Sequence, residues 1–210
     1  MKLRQFLLAS VTIAMLCGCS PAASAPSQTS PEPSEKAEEK AFLQFIDLTS
    51  QEHKEAYFIN GGHIVYLWNF SCSPYGSYAI DMTTYDHGNL IKKEHVGMMT
   101  ANAPQSADGK ICLTFPSPFE VTLIDGTLET FGTMTIPLLE NIDKTDYLWL
   151  ADTNTNLPSE AGDQEIYFAQ IGFAREKGST VPYEYFGNAA VDTDCDYIYA
   201  FSIQFKDKKS

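Results

Sequence analysis

The chain has 210 residues, with 27 acids against 14 bases and a formal charge of -13. That balance excludes nucleic-acid backbones and anionic surfaces as charge-driven partners, because both need clustered Lys and Arg to displace counterions. The length suits one domain with an appendage. No 18-residue apolar stretch lies beyond the first 19 residues, so the sequence holds no candidate internal spanning helix.

Residues 1–19 read MKLRQFLLASVTIAMLCGC. Lys2 and Arg4 form a positive n-region, and Phe6 to Leu16 an apolar segment too short to span a bilayer stably, the layout of a secretory signal. Leu16-Cys17-Gly18-Cys19 resembles the lipobox of bacterial lipoproteins, in which a leucine sits three residues before a cysteine that a small residue precedes. The resemblance implies cleavage after Gly18 and a thioether-linked diacylglycerol on Cys19. The expected address is therefore a cell membrane or outer membrane, lipid-anchored and facing away from the cytoplasm. Losing Lys2 and Arg4 with the leader takes the formal charge from -13 to -15. Arg175 is then the one arginine left, so an arginine cluster for phosphate or carboxylate has no material.

Residues 20–40 are mostly Ser, Pro, Ala and Glu, and none is apolar and larger than proline. Such a segment buries too little surface to offset the entropy of ordering it. It is read, together with Cys19, as a tether over 19–40, spanning roughly 25 Å if flexible and about 65 Å if fully extended. Phe42, Phe45 and Ile46 fit either a short helix through 35–47 or the opening of a first strand.

Residues 41–210, which hold every aromatic residue except Phe6, are expected to form one domain. Strand-like alternation follows in order. Ile64, Tyr66, Trp68 and Phe70 share a face, as do Tyr78, Ile80 and Met82, then Ile111, Leu113 and Phe115, then Phe119, Val121 and Leu123. Leu128, Met134 and Ile136 continue the pattern, Ile166–Phe173 is an apolar run, and Tyr197, Tyr199, Phe201, Ile203 and Phe205 line a single face. Turn signals separate these runs at Asn60-Gly61-Gly62, Asp86-His87-Gly88-Asn89, Ala107-Asp108-Gly109 and Asp125-Gly126. Eight or nine short strands without crossover helices predict an all-β fold, an antiparallel sandwich of jelly-roll or immunoglobulin-like type. The layout of lipobox, tether and small acidic β domain resembles uncharacterised lipoproteins of Gram-positive gut bacteria, a likeness that implies no activity.

Chemistry is harder to read. Cys72, Cys112 and Cys195 remain after the leader and lipid site are set aside; they fit three core thiols or one disulfide and one thiol, and lack C-x-x-C spacing. His53, His63, His87 and His95 form no helical zinc pair. Asp86-His87 is either an acid–base couple or turn chemistry. No G-x-S-x-G elbow, S-x-x-K or phosphate-cradling glycine loop occurs.

Asp152, Asn154 and Asn156, followed by Glu160 and Asp163, partly match an EF-hand-type calcium loop, with Leu157 where glycine belongs. They form either a calcium site of about 0.1–1 mM affinity or a polar turn. Asp192, Asp194 and Asp196 form a second acidic set. Trp68 belongs in the core, whereas Tyr147 and Trp149 share a face leading into the Asp152 loop and are the candidate ligand-binding aromatics. The function expected is a non-catalytic, membrane-anchored module that binds a glycan, peptide or protein. The alternatives are a cell-envelope hydrolase using dispersed carboxylates and an acidic inhibitor of basic lytic enzymes.

Overall fold

A computed structural model describes residues 40–73, 75–100, 108–127, 131–158, 160–175 and 195–207. The leader, the lipobox and nearly all of the tether lie outside the described residues, as do Leu128, Asp192 and Asp194. The described part belongs to one compact unit, 38–210.

Among the described residues, ten strands and one helix follow in chain order: β1 (Phe42–Phe45), α1 (Gln51–Ile59), β2 (Ile64–Ser71), β3 (Gly76–Asp86), β4 (Asn89–Thr100), β5 (Asp108–Ser117), β6 (Glu120–Thr127), β7 (Phe131–Pro137), β8 (Leu148–Thr153), β9 (Ile166–Ala174) and β10 (Tyr197–Asp207). They make two five-stranded sheets, ordered β1-β2-β5-β6-β7 and β4-β3-β10-β9-β8, with every pairing antiparallel. This is the all-β sandwich that the alternating runs predict. Between β2 and β5, which pair in one sheet, the chain makes the β3–β4 hairpin of the other sheet, so one hairpin is folded over across two layers.

Aromatic residues from the two inner faces interdigitate to form the core. Trp68 of β2 meets Phe168 of β9 edge-on with centroids 4.9 Å apart, and Phe70 meets Tyr78 at 4.6 Å. Phe119 stacks on Phe173 at 5.8 Å. Tyr199, Phe201, Ile203 and Phe205 are buried in the same cluster, as the single-face reading of β10 requires.

β2 is apolar on both faces, for two different reasons. Tyr66, Trp68 and Phe70 face the core, while Val65 and Leu67 lie on the outer side with Ile46, Ala56 and Cys112. Helix α1 lies over that outer side. It starts at Ser50, whose Oγ accepts the His53 N–H at 3.1 Å, and one ring nitrogen of His53 sits 2.8 Å from the Val65 carbonyl. The helix was not legible in the sequence because none of its residues is buried. Phe42–Phe45 resolves as the first strand. Cys72, Cys112 and Cys195 are thiols with no disulfide among them; Cys72 and Cys195 are buried, and burial pushes the Cys112 thiol up to about 11.

Candidate binding cleft

β4 is an edge strand rich in charge, and two register shifts interrupt its pairing with β3, between Ile80 and Asp81 and between Thr84 and Tyr85. Such bulges re-aim side chains. Lys92 and Glu94 come to stand opposite Thr84 and Met82 on the inner side, while Lys93 and His95 stand opposite Thr83 and Asp81 on the outer side. Charges turned inward at an edge keep the layers from closing there. Across from β4 lies β7, the edge of the other sheet, and the two edges bound a cleft of about 550 Å³.

The inner face of sheet β4-β3-β10-β9-β8 supplies its floor through Met82, Tyr197 and Tyr199, and β7 contributes Met134 and Ile136. Three carboxylates line it, on Asp86, Glu94 and Glu140. Glu94 pairs with Lys92 at 2.7 Å. Asp86 pairs with His87 at 2.5 Å, and the other ring nitrogen of His87 is 3.2 Å from Asp196. The hydrogen bond that the His87 ring donates to the Asp86 carboxylate is the main reason the His87 pKa rises. His87 and Gly88 have φ of 46° and 78°, so the hairpin tip is a two-residue turn with both central residues left-handed. Asp86-His87 is therefore turn chemistry and an ion pair at once.

The end wall is the connection that follows β7. Leu139 is buried with φ of 51°, a backbone region that costs a branched residue energy and persists only where its surroundings impose it. Its N–H donates to the Tyr199 Oη at 2.8 Å, and the Leu138 N–H donates to the Phe119 carbonyl at 2.8 Å. One short segment is thus clamped to β10 and to the turn between β5 and β6, and Glu140 follows the clamp at the mouth of the cleft. Burial raises the Tyr199 phenol above its usual range, so it stays neutral. The arrangement offers aromatic faces, phenols and carboxylates, which hold ammonium, guanidinium or hydroxyl groups.

Tyr147 and Trp149 do share a face, and both are half-buried against the core rather than open to solvent. Trp149 packs on Phe115 at 5.5 Å. Tyr147 packs on Tyr197 at 6.1 Å, with the Arg175 guanidinium 4.8 Å from its ring centre. Tyr147 therefore supports a cleft residue from behind.

The oxygen-rich loop is occupied with local bonds. Asp152 Oδ1 accepts the Thr153 N–H at 2.7 Å, and Asn154 Oδ1 accepts the Asn156 N–H at 3.0 Å while its Nδ2 donates to the Tyr167 carbonyl. The Asp163 carbonyl accepts from Gln204. Among the described residues no three of His, Cys, Asp and Glu gather as a metal would require.

One rung across β4, β3 and β10 aligns His95, Asp81 and Ser202. Ser202 is buried, however, and its hydroxyl donates to Glu165 at 2.5 Å, so its proton is engaged away from any substrate. Glu165 also pairs with Lys93 at 2.7 Å, and Asp81 pairs with His95, making a charged belt over the outer face of that sheet.

Glu94 and Glu140 carried no sequence signal. Tyr197 and Tyr199 did carry one: on a face that continues as Phe201, Ile203 and Phe205, hydroxyl-bearing rings at one end mark where the core meets water. Comparison of the chain with protein-family models, with curated proteins and with solved structures finds no match.

Proposed function

We propose that this protein is a lipoprotein held by an acylated Cys19 on the outer side of a membrane, with a non-catalytic module that binds a basic segment of a peptide or protein in the β4–β7 cleft. Leu16-Cys17-Gly18-Cys19 and the tether after it support the anchor. The observation that carries the binding role is the cleft itself: Asp86, Glu94 and Glu140 around the rings of Tyr197 and Tyr199. The same end of the sandwich already places protein cations on aromatic rings, Arg175 on Tyr147 at 4.8 Å and Lys144 on Phe119 at 5.2 Å. A ligand lysine or arginine would meet similar chemistry on Tyr197, with Glu140 providing charge complementarity beside Glu94 and Asp86, which already pair with Lys92 and His87.

The test is thermal unfolding of the mature chain against basic peptides, wall glycans, plant polysaccharide fragments, calcium and basic lytic enzymes. A ligand at about 100 times its Kd adds about 2.7 kcal/mol, a rise of roughly 5–10 °C for a domain of this size. Basic peptides or proteins are expected to give the shift, and Glu140→Lys and Tyr197→Ala to remove it, each variant being measured against its own ligand-free midpoint. A shift by neutral glycans alone would replace the basic ligand with a polyhydroxylated one. The anchor has its own test: a fatty-acid label is incorporated into the wild-type protein in cells and lost in Cys19→Ser.

A further inference from the structure

In a chain of charge -13, no Asp, Glu, Lys or Arg occurs from Ala56 to Ile80. The first part of that run projects from the domain. Phe58 and Ile59, adjacent at the C-terminal end of α1, are 80% and 83% exposed, with Tyr57 and Ile64 partly exposed beside them. Two large side chains that exposed are not needed by the fold, since α1 buries none of its residues.

The helix end beneath them is closed by a C-terminal cap. A helix end leaves carbonyls with no intrahelical partner, which a cap or water must satisfy. Here the Ala56 carbonyl accepts from both the backbone N–H and the side-chain amide of Asn60, the Phe58 carbonyl accepts the Gly61 N–H at 3.1 Å, and the Tyr57 carbonyl accepts the Gly62 N–H at 2.9 Å. Gly61 and Gly62, with φ of 70° and 80°, make that closure sterically accessible. The Tyr57 ring closes over Gly62, where an added Cβ would stand 3.4 Å from the Tyr57 hydroxyl. Three of the last four helix carbonyls are thus satisfied within the chain, which suits a shallow position at the water-facing boundary of a bilayer, where the remaining carbonyls keep water.

We infer that the Tyr57–Ile64 tip is a lipid-contacting wedge that sets Phe58 and Ile59 into the interfacial region of the bilayer to which the chain is tethered. The inference rests on the membrane-anchored reading above. A convex tip of two large side chains is too small for a stable protein interface, which takes about 800 Å² from each partner. A tip without Asp, Glu, Lys or Arg is also the part of an acidic molecule that meets a lipid surface with least repulsion. Insertion this shallow is weak alone, but a tether of roughly 20 residues holds the tip near the surface at high effective concentration, so a weak contact suffices to orient the domain.

The test uses the chain from Ser20 to Ser210 with an N-terminal histidine tag, bound to phosphatidylcholine vesicles through a nickel-chelating lipid. Anchoring then does not depend on Cys19, and failure of the wedge is separable from failure of the lipoprotein reading. Phe58→Trp reports the tip, Phe131→Trp reports an exposed site elsewhere, and wild type supplies the background of Trp68 and Trp149. With acyl chains brominated near the headgroup, Phe58→Trp emission is expected to fall by about half and Phe131→Trp to stay unchanged, as for a side chain at the acyl boundary. Emission from Phe58→Trp that ignores bromine and is quenched equally by aqueous iodide on vesicles and in solution would overturn the wedge. A blue shift that needs no vesicles and grows with protein concentration would overturn it too, assigning the tip to a second copy of the chain.

Discussion

Asp125 is a buried carboxyl between the sheets, and Tyr78 donates to it at 2.9 Å. The neighbouring strand leaves it room: a Cβ on Gly97 would stand 2.9 Å from Asp125 Oδ1. Burial raises the Asp125 pKa above its ordinary 3.8, outweighing the hydrogen bond from Tyr78, and burial raises the Tyr78 phenol as well. A raised native pKa means the folded state holds this proton more tightly than the unfolded chain does. The stability it contributes is complete below about pH 3.8 and is lost as pH rises through the raised value. Urea denaturation from pH 4 to 8 is therefore expected to show a falling component that Asp125→Asn removes, since its amide oxygen still accepts from Tyr78. Superimposable profiles for wild type and the Asp125→Asn variant would show that the carboxyl does not titrate in this range. Nothing in the sequence distinguished Asp125, because Asp125-Gly126 reads as a turn there; both residues instead lie inside β6.

At the scale of elements, strands with regular alternation were readable and interrupted ones were not. β4, NLIKKEHVGMMT, lacks the pattern because its bulges break the two-residue period. The helix α1 shows no apolar stripe, and its one signature is indirect, in Val65 and Leu67 on the back of β2. Glycine positions show how tightly the paired strands are built. A Cβ on Gly109 of β5 would collide with both the Gly126 carbonyl oxygen and the Phe70 ring. Gly109→Ala is expected to cost about 3 kcal/mol in urea denaturation, the upper end for overpacking. Gly162, where an added Cβ would meet nothing within 4 Å among the described residues, serves as control, and Gly162→Ala should stay within about 0.5 kcal/mol. Equal effects at the two sites would contradict the close approach of β5 and β6.

For the whole molecule, a charge of -13 spread over a small domain steers basic partners toward it from a distance. The Debye length falls from about 30 Å at 0.01 M salt to about 8 Å at 0.15 M. Association of a basic peptide with the cleft should slow at least tenfold over that range, with dissociation changing less. Stopped-flow measurement at several salt concentrations checks this, and a salt-independent on-rate would remove electrostatics from the recognition. The lipid contact of the α1 tip, made by Phe58 and Ile59 rather than by charged side chains, should not weaken over the same range.

Alternating apolar residues and the turn signals between them were enough to specify antiparallel strands in two layers, because side-chain period and turn chemistry are local properties of a chain. The inward face of β10 and the core place of Trp68 followed from the same pattern. The cleft did not. Asp86, Glu94, Glu140 and Tyr199 come from separate segments, and what joins them is the bulging of one edge strand and the clamping of Leu139 to a tyrosine 60 residues away. Tyr147 and Trp149 were rightly placed together on one face, but which side of the sheet that face meets depends on the other sheet. Proximity of that kind arises only when the two layers close, and no local period encodes it.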